Sequence, residues 1–334
     1  MTRQSALDDR FVHPALFYRD DAEYLAGTVP FVRAGLAAGE PVAVAVPPDN
    51  LRLLRDSLGV DAASVRLLDM TVAGRNPGRI IPGVLRAFAD AHRDVPVRII
   101  GEPIWAGRND AEYPACAQHE ALINLAFAGR AVTILCPYHT GSLSPQVLAD
   151  AAVTHPVLVD DDGERHSDHY DPYAIINGYN TPLPAPPHAA SIRFTFITAA
   201  RARRFAVETA RRLRLPDARI ADLELAAAEL AANAVTHGGG TATITMWADH
   251  RYVICQVQDG GHLTDPLAGR VPVTPDSLRG RGLLLINHVV DLVRIHTSTQ
   301  STTTRVHIAH DYAKKPPCHG ELGTLLSDSL TANT

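Results

Sequence analysis

Four short runs, PVAVAVP (41–47), SVRLLDM (64–70), VRIIGE (97–102) and VTILCPY (132–138), are almost continuously apolar and rich in β-branched residues. A strand of that pattern is buried on both faces, as in a parallel sheet. Segments with helical patterning, 20–38, 49–58, 78–92 and 112–128, lie between them. Strand–helix alternation predicts an α/β domain with a mostly parallel sheet. In such sheets ligands bind beyond the carboxyl ends of the strands. Here those ends carry Glu102-Pro103-Ile104-Trp105 and Cys136-Pro137-Tyr138-His139. No GxxxxGK followed by Ser or Thr is present, so the usual phosphate cradle is missing from this half.

The pattern changes after residue 190. A strand is expected at 191–196, then helices at 198–213 and 219–236 and strands at 241–249 and 252–259. A Pro- and Gly-rich loop (260–282), a helix (282–291) and strands at 292–298 and 302–309 complete the order. This is α+β, with helices covering one face of a largely antiparallel sheet. Between the halves, YNTPLPAPPHAA (179–190) holds Pro182, Pro184, Pro186 and Pro187, an extended and semi-rigid linker. Just before it, VDDDGERHSDHYDPYA (159–174) reads as a surface loop. The division is 11–178, linker 179–190, 191–312, and a flexible tail at 313–334.

A chain of 334 residues suits two domains. Net charge is −5, which argues against a general nucleic-acid or membrane surface. The only lysines are Lys314 and Lys315, a codon-usage feature without functional meaning. Four scattered cysteines, no apolar run of spanning length and no signal peptide point to the cytoplasm.

The helix at 219–236 carries an anomaly. Glu229, Asn233 and His237 recur at four-residue spacing and so share one face. Asn is a poor interior helix residue, because its amide competes for backbone hydrogen bonds. A solvated edge with one stray amide would account for the three residues alone. Three later features count against that: Asp259-Gly260-Gly261 ends a strand, Gly280-Arg281-Gly282-Leu283 opens a helix, and Thr302-Thr303 starts the last strand.

In this order the set resembles the ATP-binding domain of gyrase, histidine kinases and MutL. The branch it is most similar to is the bacterial anti-sigma factor serine kinases, with the same ELxxNAVxHG helix and GRGL turn. Upstream, HPALFY (13–18), FVRAGLAAGEPVAVAVP (31–47), GEPIWAGR (101–108), HEALINLAF (119–127) and CPYH (136–139) resemble the MEDS sensory domain that precedes such kinases. DGGHLTDPLAGR (259–270) fits this combined family as well.

The resemblance implies a RecA-like first domain without a Walker A loop and a Bergerat-type ATP-binding sandwich after it. It implies Mg-ATP as ligand, with the Asn233 amide oxygen on Mg²⁺ and Glu229 as general base. Asp259 and Thr302 would meet the adenine, and Gly261 would let the backbone approach the base. Gly280, Arg281 and Gly282 would bind phosphate at a helix start, and His237 would complete the nucleotide set. The implied partners are a sigma factor and a STAS-domain anti-anti-sigma protein, phosphorylated on serine. No dimerisation helix with a phospho-accepting histidine precedes the domain, which disfavours a histidine kinase. Two other outcomes stay open: a non-catalytic ATP-dependent anti-sigma module, and a ligand sensor with a degenerate ATPase fold. A homodimer stays open too.

In the first domain, Glu102, Trp105, His119, Cys136 and Tyr138 are expected to line a sensor pocket for a small-molecule signal or a protein segment. Cys116, His119, Cys136 and His139 offer two Cys and two His, a candidate zinc set.

Overall fold

The structure is a computed structural model and describes residues 11–272 and 280–310. The tail at 313–334 and part of the 260–282 loop lie outside the described residues.

The first half is built on a seven-stranded sheet of order β3-β2-β4-β5-β1-β6-β7. The strands are β1 Pro14–Tyr18, β2 Val42–Val46, β3 Val65–Asp69, β4 Val97–Gly101, β5 Val132–His139, β6 Val157–Asp160 and β7 Gly163–His166. All neighbouring pairs are parallel except β6 with β7. Every residue of β2 is buried. Each fully buried valine there contributes roughly 1.5–3 kcal/mol over an exposed one. That explains why the continuous apolar runs became β2, β4 and β5; β3, at the sheet edge, has only Val65 buried, so its run is not covered on both faces.

Three elements depart from the sequence reading. β1 sits between β5 and β6, inside the sheet and paired on both edges, although its five residues begin with proline. Residues 159–174 are not simply a loop: they supply most of the antiparallel edge hairpin β6–β7 and the first residues of the helix Pro172–Gly178. The turn is Asp161-Asp162-Gly163, with Gly163 at φ +102°. The helix expected at 78–92 is helical but contains a π-helical stretch, Ile81–Arg86. Pro82 has no N–H to donate, which accounts for the altered ladder.

The second half has a five-stranded antiparallel sheet of order β11-β12-β10-β9-β8. Its strands are β8 Ala190–Thr195, β9 Thr241–Ala248, β10 Tyr252–Asp259, β11 Leu292–Thr297 and β12 Thr302–Ala309. Helices Ala199–Arg212, Asp217–His237 and Arg281–Val289 pack against it, burying Leu223, Ala227, Leu230 and Ile286 over Ile244, Val257 and Val306. The alanine-rich helix Asp217–His237 runs 21 residues and ends at Gly238. Gly239 and Gly240 follow at φ +78° and +82°, a left-handed turn into β9 that other residues would resist.

The proline segment does not dangle. Asn180 Nδ2 donates to Thr297 O at 2.9 Å, Thr297 N returns a bond to Asn180 Oδ1 at 2.9 Å, and Arg305 Nη2 donates to Pro184 O at 2.8 Å. No helix among the described residues is long and apolar enough to cross a membrane.

Candidate functional site

A cavity of about 290 Å³ opens between the helix Asp217–His237, the ends of β10 and β12, and the loop that follows β10. Asn233, His237, Asp259, Gly261, Gly280, Gly282 and Thr302 all line it. Glu229 stands beside it. A Cβ added at Gly282 would lie 2.7 Å from Glu229 Oε2 and 3.3 Å from Asn233 Nδ2. The second glycine turn therefore presses its bare backbone onto both polar side chains of the helix. Gly280 caps the helix Arg281–Val289 at φ +86°, so the free N–H groups of its first turn lie at the cavity. Arg281 is the first residue of that helix.

The far end is built as tightly. Asp259 ends β10, facing Thr302 across the β10–β12 ladder. Gly261 N donates to Asp259 Oδ1 at 2.8 Å. Thr302 Oγ1 donates to Gly261 O at 3.0 Å and lies 2.9 Å from Thr297 Oγ1, which in turn accepts from Leu263 N at 2.9 Å. A Cβ at Gly238 would come within 2.4 Å of the Asp259 side chain, and one at Gly261 within 2.7 Å of His237 O. His237 thus reaches this site as the end of its helix, through its backbone as well as its ring.

Burial pushes the carboxyls of Glu229 and Asp259 above their ordinary range; for Asp259 the Gly261 amide and His237 pull the other way. A half-buried carboxylate with a raised pKa is a better proton acceptor than an exposed one. The β11–β12 turn has Gln300-Ser301 at its tip, where Ser298 Oγ accepts from both Gln300 N and Ser301 N at 3.2 Å. Neither tip residue has a positive φ, so glycine is not required there.

Sequence reasoning missed the lid. Leu263, Asp265, Leu267, Gly269 and Val271 also line the cavity. Leu267 and Val271 pack at the same time against the core of the first half. Arg270, between them, is buried, and burial lowers its pKa to about 10. The recurrence of Leu263, Leu267 and Val271 at four-residue spacing in HLTDPLAGRV was the signal available, but it needed a second domain to bury it.

The junction is carried further by the helix Arg281–Val289. Asn287 Nδ2 donates to Gly269 O at 3.0 Å, while Asn76 Nδ2 from the first half donates to Asn287 O at 2.9 Å. Arg75 pairs with Asp291 at 3.0 Å, and Asp291 also pairs with Arg219 at 2.7 Å. On another side, Tyr252 Oη donates to Glu112 Oε1 at 3.1 Å.

In the first half, Glu102, His119, Cys136 and Tyr138 are all buried, and Trp105 is partly covered with the Arg108 guanidinium 4.0 Å above its ring. Glu102, just after β4, accepts from Asn50 Nδ2 at 2.8 Å, and burial raises its pKa to about 8. His119 is lowered to about 3, first by burial. The four residues Cys116, His119, Cys136 and His139 do not gather. Cys136 Sγ lies 3.3 Å from His13 Nε2, while His139 Nδ1 accepts from Gly141 N and its ring packs on Tyr18. The reason is geometric: His139 ends β5 three residues after Cys136, an odd spacing that turns it to the opposite face.

Two families match separate parts of the chain. Residues 12–156 match the family described as MEDS, the MEthanogen/methylotroph, DcmR Sensory domain. Residues 193–308 match the histidine kinase-like ATPase domain, a class that binds ATP. Curated proteins give no match. Among solved structures, the RsbU and RsbW domains of Rv1364c from Mycobacterium tuberculosis match at 20% identity and a TM-score of 0.27. That match covers 40% of this chain and 36% of the other, so this chain spans about a third of that one's length.

Proposed function

We propose that this chain, a MEDS domain joined to a histidine kinase-like ATPase domain, is an anti-sigma regulatory factor that binds Mg-ATP, sequesters a sigma factor and phosphorylates a serine of a STAS-domain anti-anti-sigma partner. One observation carries the reading: Glu229 sits one turn before Asn233, and both press on the Gly282 backbone at the cavity. Nucleotide binding needs Asn233 and Asp259; it gives no reason for a second carboxyl there. Asn233 supplies a neutral oxygen suited to Mg²⁺, and the N–H groups that follow Gly280 suit phosphate. Asp259 suits an exocyclic amino group. The bare faces of Gly238, Gly261 and Gly282 let Asp259, the His237 carbonyl and Glu229 pack directly against backbone at the cavity. Glu229 would take the proton of an incoming serine hydroxyl as its oxygen bonds to the γ-phosphorus and ADP leaves.

The test is incubation of the full chain with labelled ATP and a STAS protein from the same cell. Label on the STAS serine is the expected result. A chain that binds ATP and a sigma factor yet labels no STAS protein would be a non-catalytic anti-sigma module instead.

The first half is positioned to modulate this activity. The lid residues Leu267 and Val271 pack on its core, and Asn76 holds the helix that begins at the phosphate turn. Gly78→Ala tests the route. Its Cβ would fall 1.9 Å from Asn287 Oδ1, so Asn287 must shift and its bond to Gly269 O must weaken. Overpacking of this kind costs roughly 1–3 kcal/mol. Isothermal titration should record a several-fold change in ATP affinity by the folded full chain. Unchanged affinity together with unchanged phosphotransfer would place the modulation on another surface.

A further inference from the structure

His13, Glu120, Cys136 and His155 converge inside the first half, with their donor atoms within 4.8 Å of one another. All four are at most 1% exposed. They come from four separate elements: the lead into β1, the helix Tyr113–Ala126, β5, and the end of the helix Pro145–Thr154. We propose that these four side chains form a closed tetrahedral site for a divalent cation of the zinc class.

The tautomers make the first argument. His155 Nδ1 lies 2.8 Å from Ala151 O, which can only accept, so that nitrogen carries the proton. His13 Nδ1 lies 3.2 Å from Asn124 Oδ1. The Asn124 amide is fixed in that orientation because its Nδ2 donates to Thr154 O at 2.8 Å. Both rings therefore turn a bare Nε2 lone pair inward, and both meet Glu120 Oε2, at 3.4 Å from His13 and 3.2 Å from His155. Among the described residues, both Glu120 carboxyl oxygens and His155 Nε2 lack a hydrogen bond of good geometry. Lone pairs facing a carboxylate in a water-free core repel one another unless a cation stands between them. Each histidine donates its other N–H to an oxygen, the arrangement that metal-ligating histidines use.

Distances make the second argument. Bonds of about 2.0 Å to nitrogen or oxygen and about 2.3 Å to sulfur give tetrahedral edges of about 3.3 Å and about 3.5 Å. The cluster has N···O separations of 3.2 and 3.4 Å and an N···S separation of 3.3 Å. Charge makes the third. One thiolate and one carboxylate neutralise a dication, so the filled site buries no net charge. Four protein donors leave no open position, which marks a structural or sensing site rather than a catalytic one.

The full chain, expressed and purified without added metal, should carry about one equivalent of zinc by elemental analysis. After chelation, cobalt(II) should give tetrahedral d–d bands with a thiolate-to-cobalt charge-transfer band. Cys136→Ser should abolish that band, and His155→Ala should lower metal content to below about a tenth of an equivalent. Asn124→Ala, which removes the acceptor of His13 Nδ1 and leaves all four donor atoms in place, should weaken binding roughly 10- to 100-fold. His139→Ala should retain full metal content. A wild-type chain that contains no metal and takes up no cobalt overturns the proposal, leaving a proton-sharing His–Glu–His network. So does cobalt bound without a charge-transfer band, whether or not the variants fold.

Discussion

Asn233→Ala and Asp259→Ala are each expected to erase the thermal stabilisation that Mg-ATP gives the wild-type chain. At a hundred times its dissociation constant a ligand stabilises the state it binds by about 2.7 kcal/mol. The two residues act at opposite ends of one cavity, Asn233 on the helix beside Gly282 and Asp259 at the end of β10. Losing either should remove most of the shift in differential scanning calorimetry. Asp259→Ala also deletes the acceptor of the Gly261 N–H, so its unliganded melting point should fall slightly. Asn233→Ala should not share that fall, since alanine is the better helix former. If both variants keep the full ligand shift, the nucleotide does not bind in this cavity.

The second large effect concerns chemistry alone. Glu229→Gln keeps the size and most of the hydrogen bonding but cannot accept a proton. ATP affinity should be retained while phosphotransfer to a STAS serine falls by about 100-fold or more. Burial raises the Glu229 pKa, so the basic form is lost on acidification at a higher pH than for an exposed glutamate. The wild-type rate should therefore rise with pH along a limb displaced upward from the ordinary carboxylate range. Glu229→Gln should flatten that limb. A variant that transfers phosphate at the wild-type rate would remove Glu229 from the reaction.

The sequence carried the nucleotide cavity unusually far because its residues sit at element ends with marked chemistry. Asn233 in an alanine-rich helix, Asp-Gly-Gly after a strand and Gly-Arg-Gly before a helix are legible one segment at a time. The strands β9 to β12 of the largely antiparallel sheet came out with bounds within a residue or two, while their order across the sheet was not legible. What could not be read was whatever depended on long-range partners. β1 is five residues of ordinary composition, and only its neighbours β5 and β6 make it an interior strand of the sheet. The cluster of His13, Glu120, Cys136 and His155 spans 143 positions from first to last, so spacing could not reveal it; the search along the chain found the local pairs of Cys and His instead. The lid suffered the same fate. Leu267 and Val271 look like loop residues until the first half arrives to cover them.

The helix Arg281–Val289 is nine residues long and has its two ends in different business. Its amino end borders the cavity proposed for the nucleotide, and Asn287 near its carboxyl end is gripped by Asn76. So short a rigid rod cannot answer to one end without moving the other. Reciprocity then runs the coupling backwards as well: whatever factor docking imposes on nucleotide affinity, nucleotide must impose on docking. On the proposed function, the adenylate state would thereby be written into the first half, and the MEDS domain would read the ATPase domain as well as be read by it.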